Sequence, residues 1–161
     1  MGQMMRLSIA VRNEILEHAR DAADVEVCGL LFGEGDRIDR AMPCRNVAPD
    51  PTTRFEIDPA MLIAAHRAAR RGEGPAVIGH YHSHPNGRPD PSPRDAAAAA
   101  PDGHLWLIVA DDTITAWRAT ANGAIHGRFD AVKLVTDGCG PAIDSSQGAS
   151  AATPIRPVSS R

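Results

Sequence analysis

Residues 76–95, AVIGHYHSHPNGRPDPSPRD, leave the backbone few choices. Ala76 to Ser83 is a short, mainly apolar run entered from a Gly-Pro turn, which reads as a strand. The proline-rich stretch from Pro85 to Pro91 can continue neither a helix nor a sheet ladder, so it is a loop. Ser92 then carries the signature of a helix start, with Pro93 at the first helical position and the Asp95 carboxylate three residues after the cap. Strand, stiff loop and helix start therefore follow one another within twenty residues.

The rest of the chain alternates in the same way between strand-like runs and helical periodicity. Ser8 is positioned to cap a first helix, on which Val11, Ile15, Ala19 and Ala22 recur at helical spacing. Val25 to Gly33 (VEVCGLLFG) reads as a buried strand, with Arg37 to Met42 as its hairpin partner. A proline-rich connection, Asn46 to Thr53, leads to a short strand expected at Arg54 to Ile57. Asp58-Pro59 starts a second helix that runs to about Arg71, and the third begins at Ser92 and breaks at Pro101. His104 to Ala110 and Thr113 to Ala119 form a hairpin, and Gly127 to Val135 is a last strand. The expectation is an α/β (α+β) fold with a mixed, mainly antiparallel sheet flanked by helices. One domain over residues 1–137 is followed at 138–161 by a Ser-, Ala- and Pro-rich tail, read as disordered because it has little apolar surface to bury.

A formal net charge of −3 provides no electrostatic footprint for nucleic acid or an anionic membrane. The N-terminus lacks the apolar core of a signal peptide, and no run is long enough for a spanning helix. Cys28, Cys44 and Cys139 form no C-x-x-C pair and leave one over, which favours a reducing compartment. A cytoplasmic location is expected. The sequence leaves the oligomeric state open.

His82 and His84, two apart on a strand, face the same way, and the loop can fold Asp95 back onto that face. Two imidazoles and a carboxylate form the donor set of an open zinc site, whereas closed structural sites favour four ligands rich in Cys. An open zinc site activates water, so the residues point to hydrolysis. His80 shares the face, but three ligands at spacing two on one strand reach a single ion only with distortion, so it is read as a neighbour of the site. Each fragment also has a plainer reading. His-x-His alone is a polar strand face, and Ser-Pro-Arg-Asp alone is a helix cap. Glu26 alone is an edge-strand charge, and Cys28 packs in its apolar run.

His-x-His-Pro, six residues, then Ser-x-x-Asp resembles the signature of the JAMM (MPN+) zinc metallopeptidases, and Glu26 to Gly33 (EVCGLLFG) resembles that family's glutamate-bearing strand. The similarity runs over roughly residues 6 to 135. It implies a cytidine-deaminase-like JAMM/MPN architecture of the compact prokaryotic type, with one Zn2+ held by His82, His84 and Asp95. It further implies that Glu26 is the general base and that Ser92 donates a hydrogen bond to the developing oxyanion. The reaction it implies is cleavage of a peptide or isopeptide bond after the C-terminal Gly-Gly of a ubiquitin-like or sulfur-carrier protein. The short connections match the compact type rather than enzymes with long ubiquitin-gripping insertions. Two alternatives stand beside it: a RadC-like protein, on the Asn86-Gly87 to Pro91-Ser92 loop, and a catalytically inactive MPN-type binding or scaffold module.

Overall fold

The computed structural model describes residues 3–138. The order is β1 (Met4–Ser8), α1 (Ile9–Asp21), β2 (Cys28–Glu34), β3 (Arg37–Cys44), α2 (Pro59–Arg70), β4 (Val77–Ser83), α3 (Pro93–Ala98), β5 (Leu105–Ala110), β6 (Thr113–Gly123) and β7 (Gly127–Asp137). The strands close on themselves in the order β1-β3-β2-β4-β5-β6-β7, with β7 paired back onto β1. The β2–β3, β2–β4, β5–β6 and β6–β7 pairs are antiparallel, and β1–β3, β1–β7 and β4–β5 are parallel. The expected mixed, mainly antiparallel sheet with helices is what forms. Closure leaves no unpaired edge in this ring.

Alternation along the strands sorts the core into two faces. Leu31, Tyr81, Leu105, Leu107 and Val109 join Val11, Ile15 and Leu16 of α1 in one cluster. Their sequence neighbours point the other way: Cys28, Leu30 and Phe32 meet Met61, Leu62 and Ala65 of α2, while Trp106 and Ile108 pack with Phe129. β5 is buried along its whole length, which explains its unbroken apolar run. His80 and His82 lie on the α2 face of β4, and Tyr81 lies on the α1 face.

The helix starts follow the sequence reading. Ser8 Oγ accepts from Val11 N at 3.2 Å, and Asp58 Oδ1 accepts from Ala60 N at 3.0 Å with Pro59 following. Four expectations are corrected. β1 was not anticipated, because its partners β3 and β7 are remote in sequence. The glutamate-bearing strand starts only at Cys28, leaving Glu26 just ahead of it. β4 ends at Ser83, where it was expected to, so His84 stands one residue past the strand rather than on it. Arg54 to Ile57 is not a strand but a loop whose sheet-like pairing is a single Asn46–Ile57 bridge. The expected tail lies, from residue 139 on, outside the described residues, as does Cys139.

β4 and β5 come together unusually closely at one point. A Cβ on Gly79 would sit 1.9 Å from the Leu105 carbonyl oxygen, which is main chain and has no rotamer to move. Gly79→Ala is expected to destabilise the fold by about 1–3 kcal/mol through overpacking. Urea denaturation checks this, and an unchanged midpoint would show that the two strands can separate without cost.

Candidate metal centre

Four ionisable side chains meet at the end of the ring where β4 and β5 finish and β2 begins. Glu26, His82, His84 and Asp95 are all buried, and none is more than 7% exposed. Each arrives by a different local device. His82 is in the last turns of the β4 ladder, opposite Cys28 on β2 and Ile108 on β5. His84 extends the β4–β5 pairing by one bond, its N–H donating to Val109 O at 2.8 Å. Asp95 is the third residue of α3, fixed by a reciprocal capping box: Asp95 N donates to Ser92 Oγ (3.0 Å) and Ser92 N to Asp95 Oδ2 (2.8 Å).

Glu26 is held from both sides of the backbone. Val27 N donates to Ser83 Oγ at 2.9 Å and Ser83 N to Val27 O at 3.0 Å, carrying the β2–β4 contact past the end of β2. Glu26 itself turns away from that ladder. Its N–H donates to Pro51 O at 2.7 Å, and its carbonyl accepts from Asn46 Nδ2 at 2.8 Å. The strand begins at Cys28 because these groups are already engaged.

The donor atoms converge. His82 Nε2 and His84 Nε2 are 2.9 Å apart, and Asp95 reaches them at 3.3 Å (Oδ1) and 3.2 Å (Oδ2) respectively. Glu26 Oε1 is 3.9 Å from His84 Nε2, and Glu26, His82 and His84 offer donor atoms all within 4.8 Å of one another. Tetrahedral coordination with bonds of about 2.0–2.1 Å separates neighbouring donors by about 3.3 Å, a spacing the two histidine–Asp95 pairs have, while the two imidazole nitrogens are closer at 2.9 Å. His84 Nδ1 donates to Arg88 O at 2.7 Å, which leaves the Nε2 lone pair of the neutral ring aimed into the cluster. A cation at this point satisfies donors that otherwise face one another. The group can hold a metal ion.

Burial and mutual charge set the titration. Burial pushes the Glu26 carboxyl up to about 7, with His84 pulling it down and Asp95 pushing it up. Burial acts to raise Asp95 as well, but hydrogen bonds from His82 and His84 hold it well below the ordinary carboxylate range. Burial depresses His82 against the pull of Asp95. For His84 burial works downward too, but Asp95, the Arg88 carbonyl and Glu26 together raise it. Two cavities of about 310 and 340 Å3 flank the cluster, one against His84 and Ser83, the other against Asp95 and Phe55.

The structure thus brings Glu26, His82, His84 and Asp95 together, with Ser92 as the cap beneath Asp95. His80 stays outside, its ring edge-on to Trp106 at 4.2 Å between centroids, in keeping with a neighbour's role. Sequence reasoning missed Ser83, Asn46 and Phe55. Phe55 lies flat on the His82 ring, centroids 4.2 Å apart and planes 18° from parallel. Ser83 was visible only as the spacer between two histidines, and Asn46 and Phe55 only as part of a connection.

The model of the family described as prokaryotic homologs of the JAB domain matches residues 8–120. A desampylase of Haloferax volcanii is 38% identical over 115 residues, which cover 66% of this chain and 82% of that protein. A probable TtuB-protein conjugate cleaving protease of Thermus thermophilus is 36% identical over 98 residues, 61% of this chain and 65% of its own length. Among solved structures, a protein from Desulfitobacterium hafniense superposes with a TM-score of 0.70 at 27% identity, covering 84% of this chain and 94% of its own.

An observable consequence follows from the buried Glu26. Its carboxyl sits near 7 in the folded chain against an ordinary 4.5, so ionising it costs the metal-free protein stability as pH rises from about 4.5 to about 7. Metal-free Glu26→Gln is expected to melt with the wild type near pH 4 and above it at pH 8. Parallel melting curves across that range would show that Glu26 ionises without penalty.

Proposed function

The chain belongs to the family of prokaryotic homologs of the JAB domain, and on that premise we propose that it is a zinc-dependent metallopeptidase. Its proposed reaction is hydrolysis of a peptide or isopeptide bond after the C-terminal Gly-Gly of a ubiquitin-like or sulfur-carrier protein. The observation that carries this reading is the convergence of His82 Nε2, His84 Nε2 and Asp95 within 2.9–3.3 Å beside a buried carboxylic acid. The substrate class is supported by the desampylase and the conjugate-cleaving protease that the chain resembles. A cytoplasmic setting is supported by Cys28 and Cys44, which face each other across β2 and β3 as free thiols.

His82, His84 and Asp95 are the residues proposed to hold the zinc. Bound there, zinc supplies a Lewis acid that polarises the scissile carbonyl and acidifies water. Glu26 is the base. Its carboxyl titrates near neutrality, so it takes a proton from the attacking water and returns it to the departing amine nitrogen as the C–N bond breaks and the new C–O bond remains. Ser92 Oγ already accepts from Asp95 N, which leaves its O–H proton to donate toward the carbonyl oxygen as negative charge develops there. Arg88 O keeps His84 in the tautomer that presents Nε2. The flanking cavities provide room for chain on either side of the scissile bond.

Glu26→Gln is expected to keep stoichiometric zinc and lose cleavage by about 10²–10⁴-fold, the range for removal of a general base. Wild-type turnover in that variant would remove Glu26 from the chemistry. His82→Ala is expected to lose the metal, and retention of one zinc per chain would overturn the ligand set. Gly-Gly-ended carrier proteins bearing a C-terminal extension, incubated with the protein and read by intact mass, test the substrate class. Absence of the trimmed carrier, with a zinc-loaded protein, would refute it.

A further inference from the structure

The two candidate imidazole ligands are oriented by different means. His84 has a hydrogen-bonded Nδ1, held by Arg88 O. His82 is fully buried, yet its Nδ1 has no hydrogen-bond partner among the described residues. A histidine that presents Nε2 to a metal is ordinarily fixed by a hydrogen bond from Nδ1. At His82 the ring plane is set by contact instead. Phe55 covers one face in a near-parallel stack at 4.2 Å and 18°, and Trp106 meets the ring edge-on at 5.8 Å and 88°.

Phe55 is half-buried in a loop, so something has to hold the loop. Asn46 does this with a single side-chain amide. Its Nδ2 donates to Arg54 O at 2.9 Å and its Oδ1 accepts from Glu56 N at 3.0 Å, so it grips the main chain on both sides of Phe55. The other Nδ2 proton goes to Glu26 O at 2.8 Å, and Oδ1 also accepts from Ala48 N at 3.0 Å. Two donors and two acceptor positions are all used, which fixes the amide's orientation. Arg94, next to Asp95, adds a third tie by donating to Thr53 Oγ1 at 2.9 Å.

We propose that Phe55 is a positioning residue that orients the His82 imidazole by stacking, and that Asn46 locks Phe55 and Glu26 into one frame. This rests on the reading of the site as a metal centre. The loop that carries Phe55 then joins the base to a ligand directly, without passing through the sheet.

Two readouts test it. In the metal-free protein, the stack shifts the His82 Cε1–H resonance upfield through the Phe55 ring current. Phe55→Leu and Asn46→Ala are both expected to move it toward the position of an unstacked imidazole, while Phe55→Tyr, which keeps the ring, leaves it near the wild-type value. In competition with a chromophoric chelator, Phe55→Leu is expected to bind Zn2+ and Co2+ about 10-fold or more weakly, the scale for losing an outer support of a ligand, with recovery in Phe55→Tyr. An unmoved His82 resonance together with unchanged metal affinity in Phe55→Leu and Asn46→Ala would overturn the proposal. Should Phe55→Leu fail to fold, Asn46→Ala, which removes no ring from the chain, decides the same question. A wild-type protein that takes up no metal but shows the ring-current shift, lost in Phe55→Leu, overturns the metal reading and leaves the stack standing.

Discussion

Two carboxyl groups and two imidazoles packed out of water within a few ångströms of one another form the arrangement on which the rest of this structure depends. Moving an ionised group into a protein interior costs several kcal/mol after relaxation, and only close, well-directed partners offset that cost. Asp95 has such partners in His82, His84 and its own helix cap, which keeps it ionised. Glu26 has fewer. Its Oε2 has no hydrogen-bond partner among the described residues, and its carboxyl titrates near neutrality. The cluster is therefore asymmetric, with one committed carboxylate and one poised to exchange a proton. That asymmetry is what a hydrolytic site needs.

Holding such a cluster requires a frame that does not yield, and the closed ring of strands provides one. β4 is clamped between β2, antiparallel, and β5, parallel, so its C-terminal end has a neighbour on each side. The ladders extend past the formal strand ends: His84 N to Val109 O on one flank, Ser83 and Val27 on the other. His84 and Glu26 lie outside the regular strands but are not on free loops. The site occupies the transition from ladder to loop, where backbone groups can leave the sheet while still being held.

Much of this was legible in the chain because it was local. Ser92-Pro93-Arg94-Asp95 encodes its own cap, and the capping box formed as read. Strand periodicity placed His82, and β5 announced itself by an unbroken apolar run. What stayed hidden was non-local. β1 is five residues with no partner within twenty-five positions, so nothing near it in sequence marks it as a strand. Arg-Phe-Glu-Ile at 54–57 alternates as a strand does, but the alternation serves a loop that presents Phe55 to a histidine ring and leaves Glu56 exposed. Glu26 looked like part of β2 because Val25 and Val27 flank it. Asn46, twenty residues on, and Pro51 take its backbone groups out of the ladder.

The His-Ser-His triplet shows how such non-local demands can be met in few residues. Because side chains alternate along extended backbone, a residue between His82 and His84 must point away from them. Ser83 does so, and its Oγ accepts from Val27 N on the opposite face of the cluster. Three successive residues thus supply one proposed ligand, an anchor for the segment carrying the proposed base, and a second proposed ligand. An apolar residue at 83 would leave the Val27 N–H without its acceptor. A buried donor left unpaired costs about 1–3 kcal/mol, and that cost would fall on the residue next to Glu26. The serine between the histidines therefore belongs to the same constraint as the proposed ligands: it ties the segment carrying the proposed base to the end of β4.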